Sequence, residues 1–285
     1  MKKHLGAALL ALCLAMAAAA TEIDDLRSAA ARGNADAQYQ LGVLYSNGSG
    51  VHQDLHAAAS WFAKAAAQGH AKAQTDLGFA YANGWGVPRN NQQAAAWYEK
   101  AAQQGNAMAQ TNLGYAYANG QGVRLNADQA AFWFRKAADQ GYASAQANLG
   151  ALYTFGQGVP RDLQTAAVWL RKAADQGNAT AQYNLGVLYT EKHALKQDFA
   201  EGARWFRKAA EQGNADAQLN LGALYASGQG VPRDLVEAYV WFDLAAKAGI
   251  DEARSSRKAI AEKMTDDQLA DARKRAQNWK PVGGS

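Results

Sequence analysis

Residues 73–105 read AQTDLGFAYANGWGVPRNNQQAAAWYEKAAQQG, and this stretch decides the fold because the chain repeats it. A Leu-Gly pair recurs six times at a spacing of 36 residues, at Leu41-Gly42, Leu77-Gly78, Leu113-Gly114, Leu149-Gly150, Leu185-Gly186 and Leu221-Gly222. Ala-Gln precedes every pair, and a Tyr, a Trp and a closing Gly follow in the same register. Self-similarity at a fixed period of this length indicates a repeat architecture.

Each unit is predicted to fold as two helices joined by a glycine turn. In the first half, Leu41 and Tyr45 are four residues apart, so they share one face of a helix. In the second half, Ala94, Trp97 and Tyr98 begin an i, i+3, i+4 pattern, which gives another apolar stripe. The two halves are separated by Gly-x-Gly-Val, whose glycines can adopt positive φ.

The glycine of each Leu-Gly pair is predicted to be a packing contact. Gly42 lies inside the first helix, where a glycine costs about 1 kcal/mol relative to alanine. Its recurrence therefore indicates that another helix comes close at this point. Because neither helix can bury its stripe alone, the units are expected to stack into an all-α solenoid of antiparallel helix pairs. The six repeated tryptophans are expected to lie in its core.

The two ends of the repeat array are predicted to be caps. Residues 21–36 match only the second half of a unit, residues 37–250 hold six repeats, and residues 251–280 are expected to form capping helices. The last of these helices is marked by a capping-box signature, Thr265-Asp266-Asp267-Gln268. Residues 281–285 are expected to form a flexible tail.

Residues 1–20 are predicted to be a Sec-type signal peptide. Two lysines precede an apolar stretch from Leu5 to Ala18, and small residues offer a cleavage site after Ala20. A membrane anchor and a lipoprotein acylated at Cys13 are the alternatives. We therefore expect a periplasmic or secreted protein of a Gram-negative bacterium, with no stable membrane insertion after cleavage.

Composition excludes several classes of protein. The sequence has 29 Lys and Arg residues against 25 Asp and Glu residues, and two of the lysines would leave with the signal peptide. A charge so close to neutral gives no support to nucleic-acid binding. The single cysteine excludes a disulfide scaffold and a cysteine-rich zinc site.

The repeat resembles the Sel1-like repeat, a relative of the tetratricopeptide repeat. The resemblance covers about residues 23–250 and is carried by Ala-Gln-x-x-Leu-Gly-x-x-Tyr, Gly-x-Gly-Val-Pro-x-Asp and Ala-x-x-Trp-Phe-x-Lys-Ala-Ala-x-Gln-Gly. It implies a right-handed superhelix that binds proteins or peptides, and exported bacterial members imply an adaptor of the cell envelope. A cysteine-rich subgroup has been linked to penicillin binding, and this sequence lacks those cysteines.

A polar row is the candidate binding site. The residue before each Leu-Gly pair is polar at all six places, namely Gln40, Asp76, Asn112, Asn148, Asn184 and Asn220. An amide offers donors and an acceptor, which match the two needs of a peptide backbone. The row resembles the asparagine ladder of tetratricopeptide superhelices, so we expect it to hold an extended segment in a concave groove. The alternative is that these side chains only support the stack.

Specificity is expected from the residues three positions after the polar row. Phe79 and Tyr115, beside Asp76 and Asn112, form the most distinctive patch of the sequence. An aromatic anchor with polar neighbours suits the centre of an interface. Packing between repeats is the alternative role for these two rings.

The fifth repeat departs from the pattern. Residues 191–196, which read EKHALK, stand where the other repeats carry Gly-x-Gly-Val. The turn must therefore differ, and we expect a longer first helix there. Drift in a tolerant loop and a local contact surface are the two interpretations.

No catalytic, cofactor-binding or metal-binding site is predicted. Gly84-Trp85-Gly86 lacks the third glycine and the strand of a dinucleotide-binding motif. His52-x-Asp54-x-His56 has no third strong metal ligand nearby, and Ser255-Ser256-Arg257-Lys258 matches only one of three motifs of penicillin-recognising enzymes. We predict a monomeric, non-catalytic scaffold with a protein or peptide partner. A penicillin- or peptidoglycan-recognising protein with weak hydrolase activity is the alternative.

Overall fold

The computed structural model describes residues 23–192 and 195–282, and every regular element in these ranges is a helix. Residues 23–31 form α1. The helices that follow are α2 (Ala35–Asn47), α3 (Leu55–Ala67), α4 (Ala71–Asn83), α5 (Asn91–Gln103), α6 (Ala107–Asn119), α7 (Ala127–Asp139), α8 (Ala143–Phe155), α9 (Leu163–Asp175), α10 (Ala179–Thr190), α11 (Phe199–Glu211), α12 (Ala215–Ser227), α13 (Leu235–Lys247), α14 (Asp251–Ala261) and α15 (Asp266–Asn278). The predicted signal peptide, with Cys13, lies outside the described residues.

The chain forms two compact units, which divide between Ala137 and Ala138. In the first unit, consecutive helices from α2 to α6 pack against one another. In the second unit, α8 to α13 do the same, and α14 and α15 both pack on α13. Each unit is a stack of consecutive antiparallel helix pairs, which confirms the predicted fold class, an α-solenoid.

Polar caps begin most of the helices. Five of the six first helices start behind a side chain that accepts a hydrogen bond from the third backbone N–H of the helix, as Asn34 does from Ala37. The exception is α8, which starts after Tyr142. The second helices start in the same way behind Asp54, Asn90, Asp162, Asp198 and Asp234. Such a cap stabilises a helix by about 0.5–2 kcal/mol relative to alanine.

The glycine of the Leu-Gly pair is a close contact, as the sequence predicted. A Cβ atom on Gly42 would lie 2.5 Å from the ring of Phe62, and one on Gly78 would lie 2.7 Å from the ring of Tyr98. In the turn after α4, Gly86 has a φ of 69°. A Cβ atom there would lie 1.9 Å from the carbonyl oxygen of Leu55. The helix glycines therefore let an aromatic ring pack directly on the backbone, and the turn glycine lets two backbone segments come into contact.

The repeated tryptophans line the core, although not to the same depth. Four of them are at most 9% exposed, namely Trp133, Trp169, Trp205 and Trp241. Trp61 and Trp97 are half-buried and pack against the edges of the apolar clusters. Their open faces are covered by the Lys64 and Lys100 ammonium groups, each 3.9 Å from the ring centroid. This arrangement is a cation–π contact.

The prediction of a longer first helix in the fifth repeat is wrong. α10 has 12 residues, one fewer than α8 and α12 with 13. The next residue, Glu191, is extended at φ −72° and ψ 135°, whereas the equivalent helices end on a left-handed glycine. The helix stops early because no glycine is available to close its last turn. The loop keeps one contact of the other repeats: Gln197 donates a hydrogen bond to the carbonyl of Thr190 at 2.8 Å, as Gln53 does to that of Ser46.

The C-terminal capping helices carry the predicted start signal. The Thr265 side chain accepts from the backbone N–H of Gln268, and the Gln268 side chain accepts in return from the backbone of Thr265. Beyond α15, the N–H of Val282 donates to the carbonyl of Glu211 at 2.8 Å. The first part of the expected tail thus contacts the second unit, and residues 283–285 lie outside the described range.

Candidate functional site

The polar row lies on the first helix of every repeat, one position before the buried leucine. Gln40, Asp76 and Asn112 belong to the first unit, where Gln40 is exposed and the other two are half-buried. Asn148, Asn184 and Asn220 belong to the second unit and are half-buried.

Two members of the row are bound by a tyrosine of the preceding repeat. The Tyr39 hydroxyl donates a hydrogen bond to the Asp76 carboxylate. At the equivalent place in the second unit, Tyr183 and Asn220 hydrogen-bond each other. These contacts join α2 to α4 and α10 to α12, so Asp76 and Asn220 support the stack.

The remaining amides differ in how they are used. Asn148 donates to the carbonyl of Ser144 at 2.6 Å, one turn back in its own helix. By contrast, Asn112 and Asn184 make no side-chain hydrogen bond with any described residue. Their donors and acceptor are therefore available to a ligand, which is the property that the sequence assigned to the whole row.

Asp76 affects the pKa of two tyrosines in the first unit. Burial raises its pKa, and the Tyr39 hydrogen bond with the charges of His70 and Lys72 opposes that rise. Burial, followed by the Asp76 charge and hydrogen bond, raises the pKa of Tyr39 to about 12. The pKa of Tyr98 is also raised, by burial and then by the Asp76 charge. The Asp76 carboxylate therefore lies within reach of both tyrosines.

A first pocket, of about 290 Å³, opens between α2, α3 and α4. Its lining includes Asp76 together with four aromatic residues, Tyr39, Phe62, Phe79 and Trp85. The rings of Phe79 and Trp85 meet edge to face, with their centroids 5.2 Å apart. Phe79 is 40% exposed and Trp85 is 48% exposed, so a ligand can reach both rings.

A second pocket, of about 430 Å³, adjoins the first and shares Phe79 with it. Asn112 and Tyr115 line this second pocket with Tyr98. The Tyr115 ring stands edge-on to Phe134, with their centroids 5.2 Å apart, and is 38% exposed. The structure thus brings Asp76, Asn112, Phe79 and Tyr115 to two adjoining pockets of the first unit.

Sequence reasoning missed a buried row of glutamines. Gln74, which follows Ala73 in the repeated Ala-Gln pair, donates to the carbonyl of Ala66 at 3.1 Å and accepts from Gln104 at 2.7 Å. The same donation to an alanine carbonyl is made by Gln38, Gln110, Gln146, Gln182 and Gln218. The recurrence of both glutamines at one register was the available signal, and their role is to satisfy buried backbone carbonyls.

Trp85 was also missed as a site residue. It stands in the glycine turn, where the equivalent residues are Ser49, Gln121, Gln157 and Gln229. An aromatic side chain in a turn that is otherwise polar was the available signal.

The residues weighed for catalysis or metal binding have local structural roles. Asp54 caps α3, while the Nδ1 atoms of His52 and His56 lie 2.9 Å and 3.0 Å from backbone carbonyl oxygens. Ser255 and Lys258 are exposed on α14. Within the described ranges, no group of three or more His, Cys, Asp and Glu side chains could hold a metal ion. In the same ranges, every helix is too short or too polar to cross a membrane.

The structure resembles two solved repeat proteins. A Sel1 repeat protein from Oxalobacter formigenes is 34% identical over 75% of this chain and 86% of that chain, with a TM-score of 0.69. The protective antigen c5321 of uropathogenic Escherichia coli, described as displaying an SLR fold, is 32% identical over 90% of this chain, with a TM-score of 0.62. This chain spans 63% of the length of that antigen.

The family model of the Sel1 repeat matches consecutive windows that cover most of the chain. The windows are residues 35–70, 71–106, 107–142, 143–178, 179–214 and 215–250. A search of curated proteins finds no match to the sequence. The matched windows contain the Leu-Gly, Gly-x-Gly and Trp positions on which the resemblance was drawn. The chain belongs to the Sel1 repeat family.

Proposed function

We propose that the protein is a non-catalytic scaffold that binds an extended segment of another protein along its first helices. Proteins of the Sel1 repeat family are typically scaffolds for protein interactions. The observation that carries the proposal for this chain is Asn112. Asn112 lines a pocket together with the partly exposed Phe79 and Tyr115, and no described residue hydrogen-bonds its amide. Asn184 has the same free amide in the second unit.

The two roles of the polar row predict different mutant behaviour. Asn112 and Asn184 are the residues proposed to hold the segment, whereas Asn220 is bound to Tyr183 and to the carbonyl of Asp216 at 3.0 Å. Replacing the first two with alanine removes hydrogen bonds to the ligand only. Replacing Asn220 with alanine removes a contact between repeats.

The experiment is a selection from a displayed library of unstructured peptides, followed by affinity measurement on the variants. We expect Asn112→Ala/Asn184→Ala to keep its melting temperature and to lose peptide affinity. We expect Asn220→Ala to melt at a lower temperature. Failure of the library to yield any binder would contradict the proposed function, as would full affinity in the double variant.

We further propose that this scaffold works as a monomer in the bacterial cell envelope, in the periplasm or after secretion. The support is the apolar stretch from Leu5 to Ala18 and the small residues that end at Ala20. Native mass spectrometry of the protein purified from periplasm and medium should give the mass of a single chain that begins at Thr21. A mass that retains residues 1–20, or one that shows a lipid on Cys13, would contradict this placement.

A further inference from the structure

The first pocket combines aromatic walls with one carboxylate. We call it the aromatic pocket and define it by Tyr39, Phe62, Asp76, Phe79 and Trp85. The rings of Tyr39 and Phe62 are tilted at 38° with centroids 5.9 Å apart, and Phe79 and Trp85 meet at 67°. Rings set at such angles present both faces and edges to a ligand.

The Asp76 carboxylate can accept further hydrogen bonds. A carboxylate can accept about four hydrogen bonds, and Tyr39 is the partner that the structure gives it. The nearby His70 pairs through Nε2 with Asp36 at 3.2 Å. Across residues 23–192 and 195–282, no Lys or Arg comes within ion-pair distance of Asp76. The pocket therefore holds a half-buried carboxylate that feels the charges of His70 and Lys72 but forms no ion pair with a described residue.

Packing of the repeats does not require this charge. At the equivalent junction in the second unit, the Tyr183 and Phe206 rings are retained, and the residue bound to the tyrosine is the neutral Asn220. An amide thus serves the same supporting role there. Three changes distinguish the aromatic pocket from this junction: Asp76, Phe79 and Trp85 stand where the second unit has Asn220, Ala223 and Gln229.

We infer that the aromatic pocket binds the cationic group of an arginine or lysine side chain in the bound segment. Aromatic faces attract such cations, and desolvation in a pocket strengthens that attraction. A carboxylate adds a charge-assisted hydrogen bond, which is shorter and stronger than a neutral one. The inference rests on the proposed function, because the basic residue belongs to the extended segment, and it names the chemistry that the segment must carry.

The probe for the pocket is Nα-acetyl-arginine N-methylamide, with the lysine and citrulline amides as comparisons. Each is titrated into the full-length mature protein while the indole N–H signal of Trp85 is followed by NMR. We expect saturable shifts for arginine and lysine, with citrulline about tenfold weaker because it has no charge. Equal shifts for arginine and citrulline would overturn the inference.

Two variants and one control separate the pocket from the stack. Asp76→Asn introduces the amide that four other repeats carry, and Trp85→Gln introduces the residue of three other turns, so both are compatible with the fold. We expect the affinity for arginine to fall by about tenfold in each variant. The affinity is read from the aromatic C–H signals of the Phe79 ring. The control, Gln121→Ala in the next turn, should bind arginine as the wild type does. Unchanged affinity in Asp76→Asn would overturn the inference.

The peptide library distinguishes the two proposals from each other. Selected peptides should share one basic position, and that preference should disappear when Asp76→Asn is used as the target. Binders without a shared basic position would overturn the inference and leave the proposed function standing. A library that gives no binder contradicts the proposed function, whereas the arginine titration still decides whether the pocket takes a cation.

Discussion

The Tyr39 hydroxyl donates a hydrogen bond to the Asp76 carboxylate, so a side chain of the first repeat is tied to the polar row of the second. Tyr183 and Asn220 make the equivalent contact between the fifth and sixth repeats. The polar row therefore has a supporting role at these two places. Its amides at Asn112 and Asn184 are left for a ligand, so the two roles considered for the row are divided among its members.

Removing the tyrosine hydroxyl at one of these junctions should destabilise the stack. Tyr183→Phe leaves the ring against Phe206, where the centroids are 5.9 Å apart, and deletes only the hydrogen bond with Asn220. We expect a loss of about 0.5–1.5 kcal/mol in the free energy of unfolding, measured by urea denaturation. Tyr117→Phe, on the first helix of the third repeat, is a comparison of equal size, because its hydroxyl bonds no described residue. A stability equal to the wild type would mean that the hydrogen bond is not a support.

The helix glycines should not tolerate a methyl group. In Gly78→Ala, the new Cβ would lie 2.7 Å from the Tyr98 ring and 3.2 Å from the carbonyl oxygen of Ala94. Overpacking of this kind costs about 1–3 kcal/mol, which exceeds the gain of about 1 kcal/mol from helix propensity. The free energy of unfolding is the measurement, with the exposed Gln92→Ala of α5 as the control. A more stable Gly78→Ala variant would show that the helices can separate freely.

Asp76 should make the wild type less stable as the pH rises. Its pKa is raised in the folded protein, so the folded state holds the proton more tightly than the unfolded chain does. The groups that face it are Tyr39, Tyr98, His70 and Lys72. In the window from the ordinary carboxyl pKa up to the raised one, stability falls with increasing pH.

The matched variant for this prediction is Asp76→Asn, which has no proton to lose. Its melting temperature minus that of the wild type should grow between about pH 3 and about pH 7, the range that brackets carboxyl titration. A difference that stays constant over this range would contradict the raised pKa.

Asp243 should have the opposite effect on the pH dependence of stability. Burial raises its pKa, but hydrogen bonds from Lys247 at 2.8 Å and Arg257 at 2.6 Å outweigh burial and lower it overall. A lowered carboxyl pKa gives stability that is present above the ordinary pKa and is lost as the pH falls through the folded one. Asp243→Asn should therefore cost about 1–3 kcal/mol at neutral pH.

The cost of Asp243→Asn should shrink in acid, where the wild-type carboxylate is also protonated. Chemical denaturation at several pH values measures this directly. Because Arg257 lies on α14 and Asp243 on α13, the variant should also loosen the capping helix, which hydrogen exchange of α14 would report. An equal cost at every pH would show that the charge of Asp243 contributes nothing.

The sequence was sufficient for the features that depend on residues close along the chain or repeated in register. The Leu41-Gly42 pairs, the tryptophan stripe and the Thr265 capping box each carry their own local pattern, and the fold class follows from them. The early end of α10 was not predicted. A changed loop sequence can either extend the helix before it or, when the closing glycine is lost, shorten that helix, and the residues alone do not distinguish the two outcomes.

The contacts between repeats were beyond sequence reasoning. Whether Tyr39 reaches Asp76 depends on how two helices are placed side by side, and no spacing rule within one helix encodes that placement. The same holds for Trp85, whose ring contact with Phe79 depends on how the turn after α4 is placed. The polar row was found from its register, and its division into supporting and free members required the geometry.

The most direct test of the account is an NMR titration of the mature protein with a peptide selected from the library. The side-chain amide signals of Asn112 and Asn184 should shift on binding and show contacts with peptide backbone protons, while Asn220 should stay bound to Tyr183. Shifts confined to the opposite helices, around Lys64 and Lys100, with Asn112 and Asn184 unchanged, would contradict it.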